Sequence, residues 1–133
     1  MKLTTRSEYA LLALICLAKH KPQEYISGEI IAQEQGIPQK FLQQILLALK
    51  NARYVQSLKG QRGGYRLAKP PKSINLAEVV RLFDGALAPT ESVSKYFYES
   101  TPVEKEKKLI AVFRDIRDYV SEKLERTTIA DVI

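Results

Sequence analysis

The sequence is short of the residues that metal clusters and cross-links require. Its 133 residues include one cysteine, Cys16, and one histidine, His20. A single cysteine excludes an intrachain disulfide, and the pair excludes a site built from several Cys or His ligands. Long apolar runs are missing too. The longest, Tyr9–Ala18, has ten residues, about half of what a membrane span needs. No secretory cleavage pattern follows it, so the expectation is a cytoplasmic chain with no membrane partner. No nucleophile–base–orienter set is recognisable and no Gly-Lys-Ser/Thr loop opens a helix, so no enzyme activity is expected. Acid is absent from a long middle segment. Between Glu34 and Glu78 there is no Asp or Glu, but there are eight basic residues: Lys40, Lys50, Arg53, Lys59, Arg62, Arg66, Lys69 and Lys72.

That gap makes the charge lopsided. Residues 1–72 carry 12 Lys/Arg against 4 Asp/Glu, whereas residues 73–133 carry 9 against 11. An acid-free basic stretch attracts a polyanion, and nucleic acid is the leading candidate. The alternatives are a basic protein-interaction module with an acidic partner and an RNA-binding winged helix. Hydrophobic content of 45% and charged content of 27% fit one folded domain with a thin core.

Punctuation residues divide the chain into helices and one hairpin. Thr5-Arg6-Ser7-Glu8 reads as a capping box that starts a first helix, apolar almost all round and hence central, ending near Lys19–Pro22. Ser27 caps a second helix, with Glu29 in its first turn, and Gly36 ends it. Pro38 opens a third, over about 38–52. On that helix Phe41, Leu42, Ile45, Leu46, Ala48, Leu49 and Ala52 share one face. Gln39, Lys40, Gln43, Gln44, Lys50 and Asn51 share the other, with Leu47 an unplaced exception. Tyr54–Lys59 and Tyr65–Ala68 read as two strands joined by Gly60-Gln61-Arg62-Gly63-Gly64, a hairpin with a flexible basic tip. Asn75-Leu76-Ala77-Glu78 is a second capping box, and Gly85 ends its helix. Residues 86–101 lack a period and read as a loop.

Thr101-Pro102-Val103-Glu104 reads as the start of a last helix reaching Glu125. Its apolar set spans nearly half the circumference, more than a small domain covers. Ile110, Phe113, Ile116, Val120 and Leu124 are therefore assigned to a seam between two copies of the chain. The fold class is mainly α with a small β-hairpin: a winged helix-turn-helix over 1–85, a loop over 86–101, and a C-terminal dimerisation helix and tail over 102–133. In such a fold the third helix enters the major groove, where Gln reads adenine, while a basic wing lies along the backbone or in the minor groove. Of the residues left over, Cys16 reads as a buried inert thiol rather than a redox sensor, and His20 as a C-terminal cap. Tyr96, Phe97 and Tyr98 read as a dimer or core contact rather than an effector pocket.

Several stretches together resemble the Rrf2 family of bacterial winged-helix transcription regulators. They are Leu3–Leu11, Ile37–Leu46, the glycine-rich Leu58–Ala68, Asn75–Val80 and Thr127–Val132, which between them span nearly the whole chain. The resemblance implies a homodimer, joined through the long C-terminal helix, on a palindromic DNA operator. Thr5, Arg6, Lys40 and Lys50 would hold phosphates, Gln39, Gln43 and Gln44 would read bases, and Lys59, Gln61, Arg62, Gly63 and Gly64 would form the wing contact. Cluster-bearing members of the family have three cysteines in the loop before the long helix. Here Ala86–Thr101 contains none, so no iron–sulfur cofactor is expected and no metal residue is assigned. The chain is more similar to the cysteine-metabolism branch, which works without a cluster. A small-molecule effector or a regulatory partner protein is then the expected source of the signal.

Overall fold

A computed structural model describes all of residues 1–133. Five helices and one hairpin follow in the order α1 (Thr5–Lys19), α2 (Gly28–Gln35), α3 (Gln39–Asn51), β1 (Val55–Leu58), β2 (Gly64–Leu67), α4 (Leu76–Asp84) and α5 (Lys107–Arg126). The architecture is mainly α with a two-stranded antiparallel hairpin and a long C-terminal helix, a winged helix-turn-helix with an appended helix.

The apolar run of α1 explains its place. Ala10, Ala13, Leu14, Cys16 and Leu17 are all buried, and α1 touches α2, α3, α4 and β2. Its cap lies one residue earlier than the capping-box pattern implies. Thr4 accepts the backbone N–H of Ser7, while its own N–H and hydroxyl bond the Asp84 carboxylate at the end of α4. Thr5 is left as an exposed first-turn residue. Ser27 caps α2 through the N–H of Ile30, as expected. Gly36 makes the turn into α3 in the left-handed conformation, at φ 66°, where any side chain except a short polar one is disfavoured. Pro38 sits at the cap position of α3 rather than in its first turn. Ile31, Ile37, Leu42, Ile45, Leu46 and Leu49 close the core between α2, α3 and α1.

The hairpin pairs Val55 with Leu67 and Leu58 with Gly64. Its return strand also bridges Ile26 through Tyr65, so the wing is fastened to the segment before α2. That crossing explains Gly64, and the tight tip of the hairpin itself explains Gly63. A Cβ on Gly64 would lie 2.3 Å from the Ile26 carbonyl oxygen, and one on Gly63 would lie 2.0 Å from that of Leu58.

Asn75 caps α4 through the N–H of Glu78 at 2.9 Å, but the Glu78 side chain accepts the Tyr54 hydroxyl instead of closing the box. The last helix departs further from expectation. Pro102–Lys105 is a separate 3-10 turn, Glu106 is extended, and α5 begins at Lys107. The competing partners are visible: Glu104 accepts hydrogen bonds from Tyr98 and Ser100, and Thr101 bonds Ser92, so neither is available as a cap. The segment after α5 folds back on α1 and on the residues before α4. Thr128 pairs with Asn75, Ile129 donates its N–H to Ile74, and the Ile129 side chain is fully buried in the same core as α1. The tail, grouped by sequence with the C-terminal helix, thus packs as part of the winged-helix core.

Candidate nucleic-acid interface

The polar face of α3 is open from end to end. Gln39, Lys40, Gln43, Gln44 and Lys50 are exposed, while Leu42, Ile45, Leu46 and Leu49 are buried beneath them. A helix held by one apolar stripe must present its other face outward. Leu47 is also exposed, and nothing in the chain covers it. The helix ends in a Schellman arrangement: Tyr54 donates to Leu49 and Arg53 to Lys50, which satisfies the last carbonyls. Arg53 takes the left-handed position there, at φ 68°.

The wing stands against this face. A groove of about 390 Å³ is lined by Gln39 and Gln43 of α3, Gly60, Gln61 and Gly63 of the wing, and the Ser27–Glu29 turn. A neighbouring groove brings Lys50 together with Lys59, Gly63 and Gly64. Lys40, Gln44 and Arg62 are exposed but line neither groove. Thr5 and Arg6 lie on the first turn of α1, where the Arg6 guanidinium stands 5.5 Å from the Phe83 ring centroid. One turn further on, Tyr9 packs against Phe41 with ring centroids 6.5 Å apart, which joins this end of α1 to the start of α3.

The eight basic residues of the acid-free stretch are not equivalent. Arg66 lies over Tyr25 at 4.5 Å and donates to Gln56, and Lys69 lies over Tyr54 at 4.5 Å, so both serve the scaffold. Lys40, Lys50, Arg53, Lys59, Arg62 and Lys72 remain exposed. Glu29, outside that stretch in sequence, lines the groove and is the one acid there. Counting charge along the chain could not reveal it. The pattern that does is its position two residues after the Ser27 cap, where the turn faces the wing.

The carboxylates and phenols that shift lie mostly behind this face. Burial, reinforced by the bond to Glu78, pushes the Tyr54 hydroxyl up to about 12. Partial burial raises Asp84, but the hydrogen bonds from Thr4 outweigh it and hold the carboxyl below its ordinary range.

Residues 3–133 match the Rrf2 family, whose description reads "Iron-dependent Transcriptional regulator". The chain belongs to the Rrf2 family. It is 32% identical to the HTH-type transcriptional regulator CymR of Bacillus subtilis over 132 residues, 99% of this chain and 89% of that protein. The solved structure of that "Global Cysteine Regulator" superposes with a TM-score of 0.79 at 30% identity, covering 99% of this chain and 95% of the other. The oxidised form of Staphylococcus aureus CymR gives 0.79 at 31% identity with the same coverage. IscR of T. potens gives 0.76 at 26% identity, covering 99% and 85%. As an Rrf2 protein the chain has a DNA-binding regulatory role and is not an enzyme.

An Rrf2 protein with a cluster needs several soft donors. In this one the loop before α5 offers hydroxyls that bond one another: Thr101 to Ser92 at 2.7 Å and Thr90 to Thr101 at 3.1 Å. Cys16, the single cysteine, is buried in α1. The multi-cysteine ligand set is missing and the donors present do not fit a cluster. No helix is long and apolar enough to cross a membrane. Tyr96, Phe97 and Tyr98 are exposed, which removes the core reading: Arg81 lies over Tyr96 at 4.8 Å and Tyr98 bonds Glu104.

The five residues assigned to a dimer seam divide. Ile110 is buried against Ala88 and Val93, Phe113 leans on the same cluster, and Leu124 packs on Ala77, Val80 and Leu87. These three anchor α5 to its own chain, aided by Arg81–Glu125 at 2.8 Å and by Arg117 donating to the Val93 carbonyl. Ile116 is exposed and Val120 half-buried. With Leu109, Val112 and Tyr119 they make the outward apolar stripe.

Proposed function

We propose that this chain is a cluster-free repressor that binds a palindromic operator as a homodimer. The observation that carries the reading is the groove that sets the glutamine face of α3 against Gln61 and Gly63 of the wing. In the major groove Gln39, Gln43 and Gln44 read base edges, with adenine N6 and N7 the natural bidentate match. Thr5, Arg6, Lys40 and Lys50 fix the phosphates, which set register without reading sequence. Lys59, Gln61 and Arg62 extend the contact along the wing, and Gly63 and Gly64 let the wing backbone pass close. Leu109, Val112, Ile116, Tyr119 and Val120 form the seam, and two-fold symmetry at that seam demands a two-fold operator. Residues 1–85 act as the DNA-binding unit, 86–101 as the linking loop, and 102–133 as the dimerisation helix with a tail that returns to the first unit. The signal is a small metabolite or a partner protein. Repression follows from occupancy, since a bound dimer blocks the polymerase without needing an activating surface.

Selection of bound sequences from a random duplex pool tests this. A recovered palindrome with half-sites about one helical turn apart is the expected result. Recovery of no duplex preference, or stronger capture of single-stranded RNA or an acidic peptide, overturns it.

A further inference from the structure

Cys16 and His20 are four residues apart on α1, so both side chains lie on one face of the helix. Glu34, near the end of α2, reaches that face from the other side. Its Oε2 accepts the Cys16 thiol at 3.1 Å and lies 3.1 Å from His20 Nε2, and all three ligand atoms lie within 4.8 Å of one another. We propose that Cys16, His20 and Glu34 form a mononuclear site for a divalent transition cation of the zinc class, bridging α1 to α2.

The chemistry of the three donors supports this assignment. A thiolate, an imidazole and a carboxylate are the ligand types zinc takes, and three protein ligands leave a fourth position open to water. At zinc bond lengths tetrahedral ligand atoms stand roughly 3.4–3.6 Å apart, so the two 3.1 Å contacts of Glu34 open by a few tenths of an ångström while the Cys16–His20 edge, within 4.8 Å, closes by up to about an ångström through side-chain rotation. Charge matches as well: one thiolate and one carboxylate balance a dication. The thiol proton leaves to solvent as the sulfur binds, and His20 binds as the neutral ring. Access is graded, with Cys16 innermost and the His20 and Glu34 side chains 27% and 46% exposed at the mouth. Lys19 is the charged neighbour of the triad. Counting Cys and His along the chain left no metal site. The third ligand is an acid eighteen residues beyond the cysteine, brought in by helix packing.

The ion would stiffen the frame that carries the reader helix, because α2 packs directly on α3. That consequence rests on the DNA-reading role proposed above, whereas the site itself does not. The test is therefore made without DNA. Untagged, reduced full-length protein is titrated with Co²⁺. One equivalent should bind per chain, with a thiolate-to-metal charge-transfer band and tetrahedral visible bands, and Zn²⁺ should displace it. Mg²⁺ should not, since it prefers oxygen ligands. Cys16→Ala should abolish the charge-transfer band. His20→Ala and Glu34→Gln, both at the exposed mouth, should keep the fold and weaken binding at least about tenfold. The unfolding temperature should rise with Zn²⁺ in the parent chain and not in these variants. Absence of the band in the parent chain, its persistence in Cys16→Ala, or unchanged affinity in both His20→Ala and Glu34→Gln overturns the proposal.

Discussion

Helices α3 and α5 both pack one face on their own chain and leave the other outside, and the two outer faces differ in kind. Along α3 the outer face holds Gln39, Lys40, Gln43, Gln44 and Lys50 with no acid. Along α5 it holds Leu109, Val112, Ile116 and Tyr119, flanked by charges of both signs. The first face suits a hydrated polyanion and the second suits dry apolar contact. A sequence with 45% hydrophobic residues could have spread its excess apolar surface anywhere. On α5 the exposed apolar residues share one stripe, whereas on α3 Phe41 and Leu47 stand apart among polar neighbours.

The largest expected effect comes from charging α5. Val112→Glu with Ile116→Glu should give folded monomers, because both positions are exposed in the single chain, while a desolvated seam cannot take unpaired carboxylates. Ile110→Glu should instead unfold the chain, since Ile110 is buried against Ala88 and Val93. Sedimentation and circular dichroism separate the two outcomes. A Val112→Glu/Ile116→Glu chain that stays dimeric would place the seam elsewhere.

Next come the α3 and wing substitutions. Gln43→Ala and Gln44→Ala should each weaken the selected operator by about 1–3 kcal/mol and leave non-specific duplex nearly unchanged. Lys50→Ala and Arg62→Ala should weaken both, and each should lower the salt dependence by about one unit of log–log slope, the signature of one phosphate no longer neutralised. Fluorescence anisotropy at several salt concentrations reads both. Equal losses on specific and non-specific DNA from the Gln variants would remove α3 as the reader.

How much of this was legible in the sequence differs between the same two regions. The helix-turn-helix was legible because its signals are local: Ser27 caps, Gly36 turns, and the stripe from Leu42 to Leu49 buries. The wing was legible from its glycines, which the close approach to Ile26 and Leu58 explains. The start of α5 was not, because the capping residues there bond distant side chains: Glu104 is held by Tyr98 and Ser100, and Thr101 by Ser92. The apolar stripe of α5 announced burial but not the partner, so Ile110 and Leu124 were grouped with Ile116 although they face their own chain. Glu29 in the groove and Glu34 beside Cys16 were invisible for the same reason, since each meets its neighbours only through tertiary packing.

The core beneath α1 and α3 and the anchor of α5 should also respond to opposite ends of the pH scale. Burial, followed by the bond to Glu34, pushes the Cys16 thiol up from its ordinary 9.0 to about 12. Tyr54 beneath α3 rises likewise from 10.0 to about 12. The native chain then holds protons that the unfolded chain releases, so stability is full below pH about 9 and falls as pH rises toward about 12. For Cys16 alone the loss is about 1.4 kcal/mol one pH unit above the unfolded thiol's pKa. Glu125, which anchors α5, has the reverse sign. Its hydrogen bond from Arg81 holds it below its ordinary value, so its contribution is present above pH about 4 and disappears on acidification. Urea midpoints at pH 8 and 10 should converge in Cys16→Ala relative to the parent chain, while Arg81→Ala should lower the midpoint at both pH values and lessen the further loss on acidification.

The smallest effect is expected at Arg53, where fold and function pull apart. This residue closes the Schellman turn after α3 at φ 68°, a conformation that costs a non-glycine residue roughly 1–2 kcal/mol. Glycine would relieve that strain but lose about 0.5–1 kcal/mol through the greater freedom of the unfolded chain. Arg53→Gly should therefore raise stability by about 0–1.5 kcal/mol. Arg53 is also one of the six exposed bases of the acid-free stretch, at the end of α3. Its loss should weaken specific and non-specific DNA together, without changing sequence preference. Denaturant titration and anisotropy on one variant should thus move in opposite directions, the chain more stable and its complex weaker. A variant that gains stability and binds DNA as before would leave the phosphate contacts to Thr5, Arg6, Lys40, Lys50 and the wing.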